Sequence, residues 1–239
     1  MLSTDRASFL EAASKGANFI PLAHSWPADL ETPLTTWLKV GEGNSPGVLL
    51  ESVEGGELLG RWSVVASNPL WIATAKGDSL KRKWRDGKEE EFIGNPFQGL
   101  KNWLEPYQSV SLPELPSLGQ LYGIWGYELI RWVEPTVQVH AQEEKELPDG
   151  IWMLMDNILI FDQVKRLITA ISYGDLTLNK SPEGAFDEAR LKVLALEKKM
   201  AKPLPQFKTL KWDQNGGSYP KVKSNFTKKS FEKAVKKVK

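Results

Sequence analysis

The stretch Ile151 to Asp162, IWMLMDNILIFD, is almost continuously apolar between its ends, broken only by Asp156-Asn157. A short run without polar alternation is buried on both faces, and in a strand that means a place at the centre of a sheet. The spacing predicts one long central strand, paired with Leu167 to Tyr173 across a turn at Gln163 to Arg166. Buried polar groups need partners. Asp156 and Asn157 therefore either bond across the sheet or touch something functional.

The segment from Gly47 also has the period of strands. Val48 to Val53, Arg61 to Ala66, Leu70 to Lys76, Ser79 to Trp84 and Lys88 to Phe92 follow one another, and Asp86-Gly87 joins the last two as a hairpin turn. An antiparallel meander is expected. Gly119 to Gly126, GQLYGIWG, adds a glycine-punctuated strand in which absent side chains let a backbone or a bulky ring come close. Tyr127 to Trp132 turns helical, and an earlier strand is expected at Asn18 to Leu22.

Helices surround these strands. Thr4 is the expected cap of the first, with Phe9, Leu10 and Ala13 on one face and Gly16 as its stop. Thr32-Pro33 opens a short helix presenting Leu34, Trp37 and Leu38, and Asn95-Pro96 opens another presenting Phe97, Leu100 and Leu104. Ser181-Pro182 caps the longest, whose stripe is Phe186, Ala189, Val193, Leu196 and Met200. After Pro203 and Pro205 a polar stretch runs to Asn225. Thr227 then caps a last amphipathic helix with Phe231, Ala234, Val235 and Val238 on one face, which reads as cut in mid-element.

Composition excludes several chemistries. The 239 residues contain no cysteine, so there is no disulfide frame, thiolate metal site or thiol nucleophile. Two histidines, His24 and His140, fall in expected loops far apart, which favours a hydrogen-bonding role over catalysis. No nucleophile elbow, P-loop or dinucleotide fingerprint is present. A net charge of +1 gives no field that would steer the chain to nucleic acid or a membrane. The C-terminal lysines, with Glu89 to Glu91 and Glu143-Glu144, read as solvated faces. Asp5 and Glu11 sit where a leader peptide would need apolar residues. A cytoplasmic protein without nucleic-acid or membrane partners is expected.

Several segments taken in order resemble one family. They are Asp29 to Pro33, Leu49 to Gly56 leading to Gly60-Arg61-Trp62-Ser63, Asn95-Pro96-Phe97, Gly123 to Arg131, and Leu147-Pro148-Asp149 running into Phe161-Asp162. Together they resemble the N-terminal region of the large subunit of anthranilate synthase, component I. Ser224 to Thr227 with Phe231 and Val235 resembles the opening of that family's chorismate-binding region. Val64, where many relatives carry an aromatic after Ser, is a change of core size.

The resemblance implies an α+β fold: antiparallel sheets of the component I sandwich with outer helices, incomplete without the C-terminal half. It implies a lyase that converts chorismate and ammonia, the latter from a glutamine amidotransferase subunit (component II), into anthranilate and pyruvate. Mg²⁺ is the implied cofactor and L-tryptophan the feedback inhibitor. Catalytic residues and metal ligands belong to the C-terminal half, so none is assigned in this chain, and the fragment alone is expected to be inactive. The implied division is a tryptophan-binding regulatory region at 1–205, a linker at 206–225, and the start of the chorismate-binding domain at 226–239. Half of the tryptophan site maps onto Leu50, Glu51 and Ser52, with Ser52 as the principal contact. Strand alternation puts Leu50 and Ser52 on one face and Glu51 on the other unless the strand ends there. Aminodeoxychorismate synthase component I, and a stand-alone tryptophan-rich binding module, remain as alternatives.

Overall fold

The computed structural model describes residues 3–41, 45–52, 60–116, 119–134, 136–137, 147–178, 180–205 and 224–239, in two compact units, 1–205 and 206–239. The first unit runs α1 (Arg6–Ser14), β1 (Phe19–Pro27), α2 (Pro33–Val40), β2 (Gly47–Leu50), β3 (Trp62–Ser67), β4 (Trp71–Lys76), β5 (Ser79–Trp84), β6 (Glu89–Ile93) and α3 (Pro96–Leu104). It continues with β7 (Leu121–Trp125), a 3-10 turn (Tyr127–Leu129) running into α4 (Ile130–Val133), β8 (Gly150–Leu154), β9 (Asn157–Asp162), β10 (Leu167–Asp175) and α5 (Pro182–Met200). The second unit contains α6 (Lys228–Val238).

The strands form two five-stranded antiparallel sheets, ordered β1-β10-β9-β3-β2 and β6-β5-β4-β8-β7. The α+β expectation is met. One face of the first sheet lies under α1, α2 and α5, where Phe9, Ile20, Leu159, Phe161, Phe186 and Val193 form a buried cluster. Its other face, with Phe19, Ile158, Ile160 and Ile171, packs against Tyr122 and Met153 of the second sheet. The far face of the second sheet, including Trp71, Leu80 and Trp152, is covered by Leu100 and its neighbours on α3.

Two strand expectations are corrected. Ile151 to Asp162 is not one strand: β8 belongs to the second sheet, β9 to the first, and Met155-Asp156 carries the chain between them. The meander likewise breaks between β3 and β4, where Asn68 takes the left-handed conformation at φ 58°. Only β4-β5-β6 forms a meander, with Gly87 at φ 93° in its hairpin. Apolar runs predict burial, but not which sheet supplies it.

The two crossings share one joint. Arg85 donates from Nε to Pro69 O (3.1 Å) and from Nη2 to Asn68 O, and it also bonds both oxygens of Asp156. Lys192 on α5 reaches the same carboxylate at 3.0 Å, as does Asn157 Nδ2 at 2.9 Å. Ser172 Oγ donates across the ladder to Asn157 Oδ1. Both polar residues of the apolar run are thus partnered. Burial pushes the Asp156 carboxyl up, but Arg85 and Lys192 outweigh it and hold it below the usual carboxylate range.

Smaller corrections follow from tertiary pairing. Asp5 caps α1 by accepting from Ser8 N at 2.7 Å, while Thr4 is drawn to the edge of β1 by hydrogen bonds with Ala23. On α2, Leu34 faces solvent and Thr36, Val40 and the partly buried Trp37 face inward, because the helix lies over β3 and α5. β1 extends to Pro27 because β10 pairs with all nine of its residues, so His24 sits in a strand and not a loop, 3.2 Å from Glu197 Oε1. His140 and Glu143-Glu144 lie outside the described residues. Gly16 at φ 95° and the caps at Thr32, Asn95, Ser181 and Thr227 are as expected.

Candidate functional site

β2 is one of the two edge strands of the first sheet and is only four residues long. Its first residue is Gly47, where any larger side chain is excluded because a Cβ would stand 2.5 Å from Ala66 O and 2.7 Å from the Trp37 ring. Val48 is buried in the layer between the sheets, and Leu49 packs toward the helix-covered face. Leu50 shares the face of Val48 but is 51% exposed. The ladder ends at Leu50 opposite Val64, and Glu51 and Ser52 continue beyond it, exposed. Strand alternation therefore does not force Glu51 and Ser52 apart. Gly55-Gly56 lies outside the described residues.

Extended by two residues, the β2–β3 register would set Ser52 opposite Trp62. That indole is half-buried, with the Arg61 guanidinium 4.4 Å from its ring centroid. Arg61 makes a two-pronged bond to Asp162, Nε to Oδ1 at 3.0 Å and Nη2 to Oδ2 at 2.7 Å, and Asp162 pairs with Trp62 across the ladder. The same carboxylate accepts from Val164 N and Lys165 N in the following turn. Burial pushes Asp162 up, and Arg61 with those amides outweighs it, so the group titrates low. The end of β2 thus presents an apolar leucine, with the Glu51 carboxylate and the Ser52 hydroxyl exposed just beyond it.

Reading by sequence missed that Arg61, Trp62 and Asp162 act together. All three stand in the segments that carried the resemblance, but 101 residues separate the ion pair and only the β3–β9 ladder joins it. A cavity of about 270 Å³ lies on the same sheet face, lined by Pro21, Leu112, Ile158, Ile160, Ile171 and Tyr173. In its wall Gln120 Nε2 donates to Tyr173 Oη at 2.7 Å, and burial pushes that phenol up; Ser109 and Ser111 line it as well. Ile160 lies two strands from Leu50 along the row through Val64, roughly 10 Å at ordinary strand spacing. The cavity and the Leu50 corner are separate places.

Among the described residues no group of three or more histidine or acidic side chains converges to hold a metal ion. The described residues thus offer no donor set that fits Mg²⁺. Among them too, no helix is long and apolar enough to cross a membrane.

Comparison with known proteins adds the decisive observation. No family model matches the chain. Anthranilate synthase component 1 of Synechocystis is 46% identical over 207 residues, 86% of this chain and 41% of that protein. The Pseudomonas aeruginosa protein of the same name is 30% identical over 239 residues, 98% of this chain and 47% of its own length. The chain is homologous to the N-terminal part of anthranilate synthase component 1. It spans less than half the length of these component 1 relatives. A solved component I from Streptococcus pneumoniae overlaps 75% of the chain and 37% of its own, at 20% identity and a TM-score of 0.49.

Proposed function

We propose that the whole protein is the large subunit of an anthranilate synthase and that this region is its tryptophan-sensing part. On this reading the complete enzyme converts chorismate and ammonia to anthranilate and pyruvate, with Mg²⁺ and with ammonia from a glutamine amidotransferase subunit. The observation that carries it is the 46% identity to a component 1 protein over 86% of the chain. The division into 1–205, 206–225 and 226–239 belongs to the same proposal, with the reacting groups beyond this chain.

Leu50, Glu51 and Ser52 are the proposed inhibitor contacts. A free amino acid presents an ammonium group that needs acceptors, and the Ser52 hydroxyl with the Glu51 carboxylate can supply them. A charge-assisted bond of this kind contributes about 1.5–3 kcal/mol. Leu50 offers apolar surface to an indole. Because the ladder ends at Leu50, both polar side chains are able to turn toward one ligand.

Two measurements test this. The full-length gene product, given chorismate, Mg²⁺ and ammonia, should release anthranilate; 4-amino-4-deoxychorismate as sole product would move the protein to the aminodeoxychorismate synthase branch. In the same protein, Ser52→Arg should raise the inhibition constant for tryptophan at least about tenfold, a loss of about 1.4 kcal/mol, with uninhibited turnover unchanged. An unmoved inhibition constant would remove Ser52 from the site.

A further inference from the structure

We infer that the cavity beside Tyr173 is a binding site for a compact, neutral molecule of one or two rings that carries a hydrogen-bonding group. The first sheet supplies Ile158, Ile160 and Ile171 to its lining. Leu112 and Leu115, from the segment between α3 and β7, line it too and pack against the same buried cluster. Its volume of about 270 Å³ is well above the roughly 150 Å³ at which a dry aliphatic cavity accepts benzene. Size and walls together suit a ring.

The polar groups that would orient the ligand are held in place before it arrives. Gln120 is fixed through its carbonyl, which accepts from Met155 N at 2.9 Å, and its side-chain amide donates to Tyr173 Oη. Tyr173 is 6% exposed, and its ring stacks on Phe19 with centroids 4.6 Å apart. Its backbone amide donates to Asp156 O at 2.9 Å. A phenol that accepts one hydrogen bond keeps its own O–H for a further acceptor. Because burial pushes its pKa up, Tyr173 remains a neutral donor. A ligand hydroxyl, carbonyl or ring nitrogen is the matching group.

Charge decides what is kept out. Among the described residues no acidic, basic or histidine side chain lines the cavity. A carboxylate or ammonium entering it would lose its water without gaining a counter-ion, and that cost exceeds what a ring gains from aliphatic walls. Zwitterionic L-tryptophan and the carboxylates of chorismate are therefore excluded, so this site is distinct from the contacts proposed at Leu50, Glu51 and Ser52 and does not depend on them.

Isoleucine-methyl NMR of the full-length gene product, kept in saturating L-tryptophan, tests the assignment with phenol, toluene and benzoate as probes. Phenol and toluene should shift the methyl signals of Ile158, Ile160 and Ile171 and saturate, and benzoate should bind at least about tenfold more weakly than phenol. Tyr173→Phe keeps the stacked ring and removes the hydroxyl. It should weaken phenol about threefold to tenfold and leave toluene unchanged. Unmoved signals from these three methyls with phenol and toluene up to about 10 mM overturn the site. Benzoate binding as well as phenol overturns it too, and that contrast needs no variant. Equal weakening of phenol and toluene by Tyr173→Phe removes the hydroxyl from recognition and overturns the stated ligand class.

Discussion

The rim strands β6 and β7 bound the same five-stranded sheet, yet they meet solvent in opposite ways. Along β6, Glu89 stands opposite Lys83, Glu90 opposite Arg82 and Glu91 opposite Lys81, and ion pairs link each couple. Arg82 also lies over three indoles, Trp71, Trp84 and Trp103, so the inner side of that rim is anchored in the core. β7 carries no such charges and exposes Ile124 and Trp125. Charge on an edge deters further pairing, and apolar surface invites it. The contrast separates a rim lined by ion pairs from one that is apolar.

Away from both rims, removing the joint at Asp156 gives the largest expected effect. Asp156→Ala leaves Arg85 and Lys192 facing each other without their carboxylate, whose side chain is only 3% exposed. It should lower the unfolding free energy by about 3 kcal/mol, measured by urea denaturation followed by tryptophan fluorescence. A loss under about 1 kcal/mol would mean that the sheets are joined by apolar packing alone. The same residue sets an acid limit. Its carboxyl titrates lower folded than unfolded, so its contribution is complete above about pH 4 and fades as pH falls through the folded value. Asp156→Asn should flatten the pH dependence of stability on that acid side.

A smaller effect is expected at the apolar rim. Gly123→Val drives a branched side chain into Ile151 O and Trp152 and should cost about 2 kcal/mol through overpacking. If it is tolerated, with the melting midpoint unmoved, β7 is held less closely against β8 than described. Smallest of all is a charge change on the ion-paired rim. Lys83→Glu opposite Glu89 should cost about 0.5 kcal/mol, recovered by adding Glu89→Lys, because both side chains are well exposed. Failure of the double exchange to recover stability would deny the cross-strand pair its part in the edge.

Most helices were legible because their signals are local. Thr32, Asn95, Ser181 and Thr227 each accept a hydrogen bond from a backbone amide one turn inside the helix, whatever the rest of the chain does. Asp86-Gly87 fixed its hairpin for the same reason. At the candidate corner, Leu50, Glu51 and Ser52 were accessible through resemblance, while the stacking of Arg61 on Trp62 and its bond to Asp162 were not.

By itself the sequence determined most helices with their caps, the centres of most strands and the Asp86-Gly87 turn, since those depend on backbone preference and apolar period within a few residues. Only the tertiary structure decided that Ile151 to Asp162 divides between two sheets and that β3 and β4 part company. The physical reason is that apolar side chains are satisfied by any dry surface, so their pattern is silent on the partner. The choice is made by polar groups that accept few partners: Arg85 and Lys192 meet at Asp156, and the chain crosses where they hold it.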